Sequence, residues 1–209
     1  VHIYDAASNT WLPNVAPMTR PRVYASAVAL QNGRVLIAGG IDSTATFTAT
    51  AEVYDPATNT WTPTADMPRA FAAGAGVTLL DGRVLVVGGI DDDLNTTSNA
   101  SALFDPASGT WTVGPSMLAS RYLFNATLLQ DGRVLVSGGI SVESTGVLRV
   151  ADAELFDPLT NTWSPGGHMA EPTAFAAAAV LPDGRVIVAG GSAMTDGNYP
   201  IVARVELYD

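Results

Sequence analysis

The chain reads as short apolar runs broken at regular intervals by the same polar turn. Four dipeptides, Asn32-Gly33, Asp81-Gly82, Asp131-Gly132 and Asp183-Gly184, each sit between two such runs. An Asn-Gly or Asp-Gly pair in that setting predicts a two-residue type I′ hairpin, because Asn, Asp and Gly tolerate the positive φ it demands. After each turn come an Arg and a run such as Val84-Leu85-Val86-Val87, apolar at every position, which predicts a strand buried on both faces. That run stops at a glycine pair: Gly39-Gly40, Gly88-Gly89, Gly138-Gly139 or Gly190-Gly191. Before each turn lies a run of small residues, clearest over 72–80 and 174–181, as expected where several strands crowd around a narrow axis.

Two more strands complete the unit. A run ending in Tyr4, Tyr54, Phe104 or Phe156 is followed seven residues later by Trp11, Trp61, Trp111 or Trp163, with Asn-Thr or Gly-Thr in the turn between them. The Trp spacings are 50, 50 and 52, and from Met18, Met67, Met117 and Met169 it is always 15 residues to the turn glycine. The chain therefore divides into repeats at 1–50, 51–100, 101–152 and 153–204, with 205–209 starting a fifth. A four-stranded sheet with two apolar faces cannot stand alone in water, so neighbouring sheets must stack face to face. This predicts a single all-β domain, a β-propeller of four repeats of four antiparallel strands.

Val205-Glu206-Leu207-Tyr208-Asp209 echoes Val1-His2-Ile3-Tyr4-Asp5, so one strand occurs five times and the others four. The expectation is either a four-bladed ring with a spare strand or part of a larger propeller, and a start at Val1 rather than Met reads as trimming. The spare edge also predicts self-association, since exposed strand edges template pairing.

Composition narrows the partners. Hydrophobic residues at 47% against 14% charged can bury a core. A formal charge of −10 repels phosphate backbones and anionic membranes, which excludes nucleic acid as a partner. No apolar run approaches the roughly 18 to 20 residues of a spanning helix, so no membrane insertion is expected. There is no Cys, hence no disulfide, thiolate metal site or Cys nucleophile.

A glycine pair, an aromatic, six residues and a Trp, recurring at about fifty residues over the whole chain, resembles the Kelch repeat, bacterial Kelch proteins especially. The resemblance implies a Kelch-type propeller whose innermost strand is the small-residue one, with ligands held at a mouth formed by inter-strand loops. In Kelch substrate adaptors, arginines of the loop leading to that strand bind acidic peptides. Here the second residue after each Met is Arg20, Arg69, Ala119 or Glu171, and the fourth is Arg22, Phe71, Arg121 or Thr173. By resemblance Arg20, Arg22, Arg69, Arg121 and Glu171 are the candidate ligand-binding residues of the mouth. The copper chemistry known on this architecture needs a Cys that the chain lacks.

Asp91, Asp93 and Asn95 match the first three ligand positions of an EF-hand loop, a candidate calcium site; Thr96 replaces the required Gly and Ala102 the closing Glu. No other cofactor is expected. Sequons at Asn95, Asn99 and Asn125 point to an extracellular or cell-surface location. His2 and His168 fall at unrelated repeat positions with no catalytic constellation around them, so the chain is not expected to be an enzyme. The expected function is a non-catalytic binding module whose loops at 41–50, 90–100, 140–152 and 192–203 recognise a protein or glycan. The alternatives are a structural subunit of an extracellular surface assembly or filament joined by terminal strand pairing, and a fragment of a propeller enzyme.

Overall fold

The structure is a computed structural model, and it describes residues 1–91, 96–143, 146–193 and 200–209. It is all-β, with antiparallel sheets arranged as the four blades of a propeller. The first blade pairs Ser26–Ala29, Val35–Ala38, Ala51–Asp55 and Thr60–Pro63, from the axis outwards. The second pairs Ala75–Thr78, Val84–Val87, Ser101–Asp105 and Thr110–Val113, and the third Asn125–Leu128, Val134–Ser137, Asp152–Asp157 and Thr162–His168. Among the described residues the fourth has three strands, Ala177–Val180, Val186–Ala189 and Val205–Tyr208. Tyr4–Asp5 and Thr10–Trp11 form a separate hairpin. Each sheet thus straddles a boundary of the repeats read from the sequence, taking two inner strands from one copy and its outer strands from the next.

The four turns differ from the two-residue type I′ loops expected: only the glycines, Gly33, Gly82, Gly132 and Gly184, take positive φ, between +81° and +94°, while Asn32, Asp81, Asp131 and Asp183 do not. The Leu30 amide donates to the Arg34 carbonyl at 2.8 Å and the Gly33 amide to the Leu30 carbonyl at 3.0 Å, a three-residue loop repeated in each blade, in which the Asn or Asp side chain accepts the Arg amide two residues on. The glycine pairs serve a second purpose, close approach between blades. Gly88 has φ +66°, and a Cβ there would lie 2.7 Å from the carbonyl oxygen of Arg121 and 2.7 Å from the Phe124 ring, so no other residue fits without movement.

Three apolar clusters fill the wedges between successive blades, and strand alternation sorts the side chains between them. Val84, Val86 and Phe104 of the second blade point back towards Leu30 and Leu36 of the first. Leu79, Leu85 and Leu103 of the same blade point forward to Val134, Val136 and Phe156 of the third. Leu129, Leu135 and Leu155 then point forward to Val186 and Val188 of the fourth. Each such side chain, fully buried, contributes about 1.5 to 3 kcal/mol, which is what makes stacking obligatory.

Hydrogen bonds repeat from each unit to the one before it. The amides of Ala73, Leu123 and Phe175 donate to the carbonyls of Tyr24, Ala73 and Leu123, at 2.9, 3.2 and 3.2 Å. The indole Nε1 of Trp61 donates to the Ala16 carbonyl at 3.0 Å, that of Trp111 to Thr64 Oγ1 at 3.4 Å, and that of Trp163 to the Pro115 carbonyl at 3.0 Å. Each Trp also stacks tilted on the aromatic opposite it, with ring centroids 4.9 to 5.2 Å apart in the three complete blades.

Candidate ligand-binding face

The loops that follow the outer strands run over one end of the propeller, anchored by the buried Met67 and Met117, before dropping into the innermost strands. The second and fourth positions after each Met meet different fates because the segment turns inward between them.

At the fourth position the chain has gone inside. The Arg22 side chain is 2% exposed and that of Arg121 is 0%. Arg22 donates from Nη1 to the carbonyls of Gly39 and Thr50, at 2.9 and 2.8 Å, and from Nη2 to Glu52 Oε1 at 3.1 Å. Arg121 repeats the arrangement with the carbonyls of Gly138 and Asp152, at 3.0 and 2.7 Å, and with Glu154 Oε1 at 2.6 Å. Burial pushes the Arg121 guanidinium below its ordinary value, opposed by the charge of Glu154. The carboxylates finish the network: Glu52 Oε2 accepts the Thr19 amide and hydroxyl, both at 2.8 Å, and Glu154 accepts the amides of Leu118 and Ala119, at 2.6 and 3.0 Å. Arg22 and Arg121 therefore do not line the mouth as ligand-binding residues. Their donors tie the mouth loop to the glycine pair and to the third strand within one blade.

At the second position the side chains stay outside. Arg20 is exposed, and the exposed Glu171 pairs with Arg204 at 2.6 Å. That contact, foremost its hydrogen bond, holds the Glu171 carboxyl below the usual range. Arg69 is exposed and pairs with the buried Asp91. Asp91 is thus engaged by an arginine, while Asp93 and Asn95 lie outside the described residues; among the described residues no group of three acidic, His or Cys side chains could hold a metal. In the first blade the equivalent carboxylate, Asp42, is held low first by the Thr44 hydroxyl and then by the Thr46 and Thr44 amides, with a smaller pull from Arg20.

Sequence reasoning missed three features of this face. Glu52 and Glu154 are the partners that take Arg22 and Arg121 out of the mouth. Tyr24 and Phe175, six residues after their Met, stand 64% and 59% exposed at the entrance of the innermost strands. Arg149, on a hairpin of Ile140–Glu143 and Gly146–Arg149 that rises from the third blade, lies over the Phe175 ring at 5.7 Å. The loop carries no hydropathy signal for the aromatics, but their common spacing from Met was readable.

Of the sequons, Asn125 lies in the innermost strand Asn125–Leu128, paired with Ser137, and Asn99 is exposed, its side-chain Nδ2 donating to the Met117 carbonyl at 3.0 Å; Asn95 lies outside the described residues. His168 contacts Asp152 through Nδ1 on the exposed outer part of the third blade. At the opposite end of the propeller, a cavity of about 520 Å³ opens between the first two blades, lined by Leu30, Arg34, Asp55, Pro63, Phe104 and Gly109 among others.

The family model for the Kelch motif matches residues 21–68 and 72–118, which span the first two blades with Gly39-Gly40 and Gly88-Gly89. The chain carries Kelch repeats. The solved structure titled "Structure of YjhT" superposes with a TM-score of 0.80 at 14% identity, covering 99% of this chain and 71% of that one. At that identity the likeness shows the fold. No curated protein matches the chain in sequence. A Kelch propeller suggests a binding or interaction module, but many chains of known structure share this architecture, so the choice of partner rests on the face itself.

Proposed function

We propose that the Kelch propeller is a non-catalytic binding module that takes a protein or glycan ligand on the loop-bearing face, outside the cell or at its surface. The observation that carries this reading is the joint exposure of Tyr24, Phe175, Arg20 and Arg69 on one rim, a set the core does not use. Tyr and Arg are among the residues that dominate binding energy at interfaces, and the loops at 41–50 and 140–152 beside them differ in length and composition where the frame does not. Together they offer apolar contact and planar donors for a carboxylate-bearing polypeptide or an acidic glycan.

The test is a screen of the chain against a glycan array and a displayed polypeptide library, repeated with the Arg20→Glu/Tyr24→Ala variant. A ligand found by the native chain is expected to bind that variant at least ~10-fold more weakly, about 1.4 kcal/mol. The Arg34→Ala variant, altered at the opposite end, should keep its affinity. Ligands indifferent to the rim changes and sensitive to Arg34→Ala would overturn the assignment of this face.

A further inference from the structure

We propose that the second blade, in place of the buried ion pair of its neighbours, carries an anchor pocket for an aromatic side chain of a carboxylate-bearing polypeptide. This rests on the rim as the ligand-binding face, and it selects polypeptide over glycan there.

Where the loop after each Met meets the third strand, the other three blades share one device. The first amide after the Met donates to a glutamate: Thr19 to Glu52 at 2.8 Å, Leu118 to Glu154 at 2.6 Å and Ala170 to Glu206 at 2.7 Å. In the first and third blades that glutamate also takes the guanidinium of Arg22 or Arg121. The second blade departs at all three points together. Pro68 has no amide to donate, Ala102 stands where the glutamate would be, and Phe71 replaces the arginine. Losing the glutamate therefore strands no amide at the Pro68 position.

The three changes leave a cavity of about 220 Å³, lined by Pro68, Phe71, Val86, Ala102 and Val113, with Arg69 and two serines in the wall. The serine hydroxyls are spent elsewhere: Ser98 Oγ accepts the Ala100 amide at 3.1 Å, and Ser101 Oγ donates to the Pro115 carbonyl at 2.7 Å. Sugar hydroxyls entering this space would give up water without a replacement, whereas an apolar ring would not. An apolar cavity of about 150 Å³ already holds benzene, so a phenyl ring fits here. The exposed members of the wall mark the opening, Val113 at 75% and the Arg69 side chain at 53%. Arg69 gives Nη2 to Asp91, and its guanidinium carries further donors for a carboxylate next to the ring. The second blade packs against the first on one face and the third on the other, so the opening does not come from a missing neighbour.

Methyl NMR of the chain with 3-phenylpropionate as probe tests the pocket directly. The Val86, Ala102 and Val113 methyl signals should shift together and saturate with a dissociation constant of about 1 to 10 mM, the range of so small a ligand. Glucuronate, which has the charge without the ring, should leave them in place, and 3-phenylpropanamide, which has the ring without the charge, should bind at least ~3-fold more weakly. Ala102→Leu, which fills the cavity, and Val113→Asp, at an exposed position, should each weaken the probe at least ~10-fold while the melting temperature is kept. Methyl signals that stay put with 3-phenylpropionate overturn the proposal, as do shifts that survive both variants, that appear equally with glucuronate, or that are matched in affinity by the amide. A polypeptide ligand from the library screen should lose a similar ~10-fold through Ala102→Leu. If it keeps its affinity there and loses it through Arg20→Glu/Tyr24→Ala, the anchor pocket fails and the rim assignment stands; probe binding with a ligand indifferent to the rim changes marks the opposite failure.

Discussion

The first and third blades fill one seat with a buried ion pair, while the second fills it with hydrocarbon. Arg22 meets Glu52 and Arg121 meets Glu154, but the same positions in the second blade hold Phe71 and Ala102, 8% and 9% exposed. The second and third strands keep one register in all three, with the glycine pair in place, and the third blade adds a bulge between Asp152 and Glu154. The seat therefore accepts hydrocarbon in place of charge. The ion pair is one of two solutions, and desolvation cancels much of its Coulombic gain.

Breaking that comparison gives the largest expected effect. Arg121→Ala leaves Glu154 buried and uncompensated, and should cost about 3 to 5 kcal/mol in denaturant unfolding. Arg121→Phe with Glu154→Ala, which copies the second blade into the third, should recover most of that loss or add stability. A double variant no better than the single would show that the hydrogen bonds from Leu118 and Ala119 to Glu154 matter more than the charge. The same substitutions should not reach ligand binding at the rim, since neither side chain faces solvent.

The second blade differs again in its innermost strand, where Gly76 stands in place of Ala27, Ala126 and Ala178. A Cβ at Gly76 would come within 2.6 Å of Val28 Cγ2, across the wedge from the first blade. Gly76→Ala should therefore cost about 1 to 3 kcal/mol through overpacking, although alanine is native at the equivalent positions. Val28→Ala alongside it should relieve the clash. If Gly76→Ala alone were neutral, the first two blades would have to pack more loosely than the third and fourth.

These contrasts show which parts of the molecule were legible in the sequence. The frame was readable because turns and glycine pairs act locally: Asp81-Gly82 and Gly88-Gly89 meet the same backbone demand wherever they fall, and the strands between them follow. The candidate mouth was half readable. Arg20 and Arg69 remain outside, but Arg22 and Arg121 were indistinguishable from them until Glu52 and Glu154, about thirty residues later, came into reach. A signal was present, since Arg at the fourth position after Met goes with Glu two residues before the ring aromatic in the first and third blades, and neither occurs in the second. Reading it required knowing that the two positions touch, which is a tertiary fact. Blade boundaries were out of phase for a similar reason: the repeat period fixes spacing, while sheet membership depends on which outer strands return to which inner pair.

The smallest effect concerns the one turn that departs from its copies. In the second, third and fourth blades Arg83, Arg133 and Arg185 fold back on the aspartate two residues earlier, at 2.7 Å in each case. Asp131 and Asp183 are correspondingly held below their ordinary range, Asp131 first by the Arg133 backbone amide and Asp183 first by the Arg185 side chain. The first blade has Asn32, which carries no charge, so Arg34 reaches instead to Asp55 at 3.0 Å and enters the lining of the cavity between the first two blades. Asn32→Asp should draw Arg34 back into its own turn and out of that lining. Because the groups are largely solvated, the stability change should stay within about 0.5 kcal/mol. The informative readout is NMR titration of the carboxyl introduced by Asn32→Asp. With Arg34 recaptured, that carboxyl should titrate below the ordinary aspartate value, as Asp131 and Asp183 do, so that whatever stability the contact adds is present above the unfolded-state pKa and fades as pH falls through the folded one. The Arg34 amide already bonds this side chain at 3.1 Å and will lower the carboxyl by itself, so Arg34→Ala on top of Asn32→Asp isolates the guanidinium: if that change leaves the titration where it was, Asp55 holds Arg34 by the geometry of the wedge, and not for want of a charge in the turn.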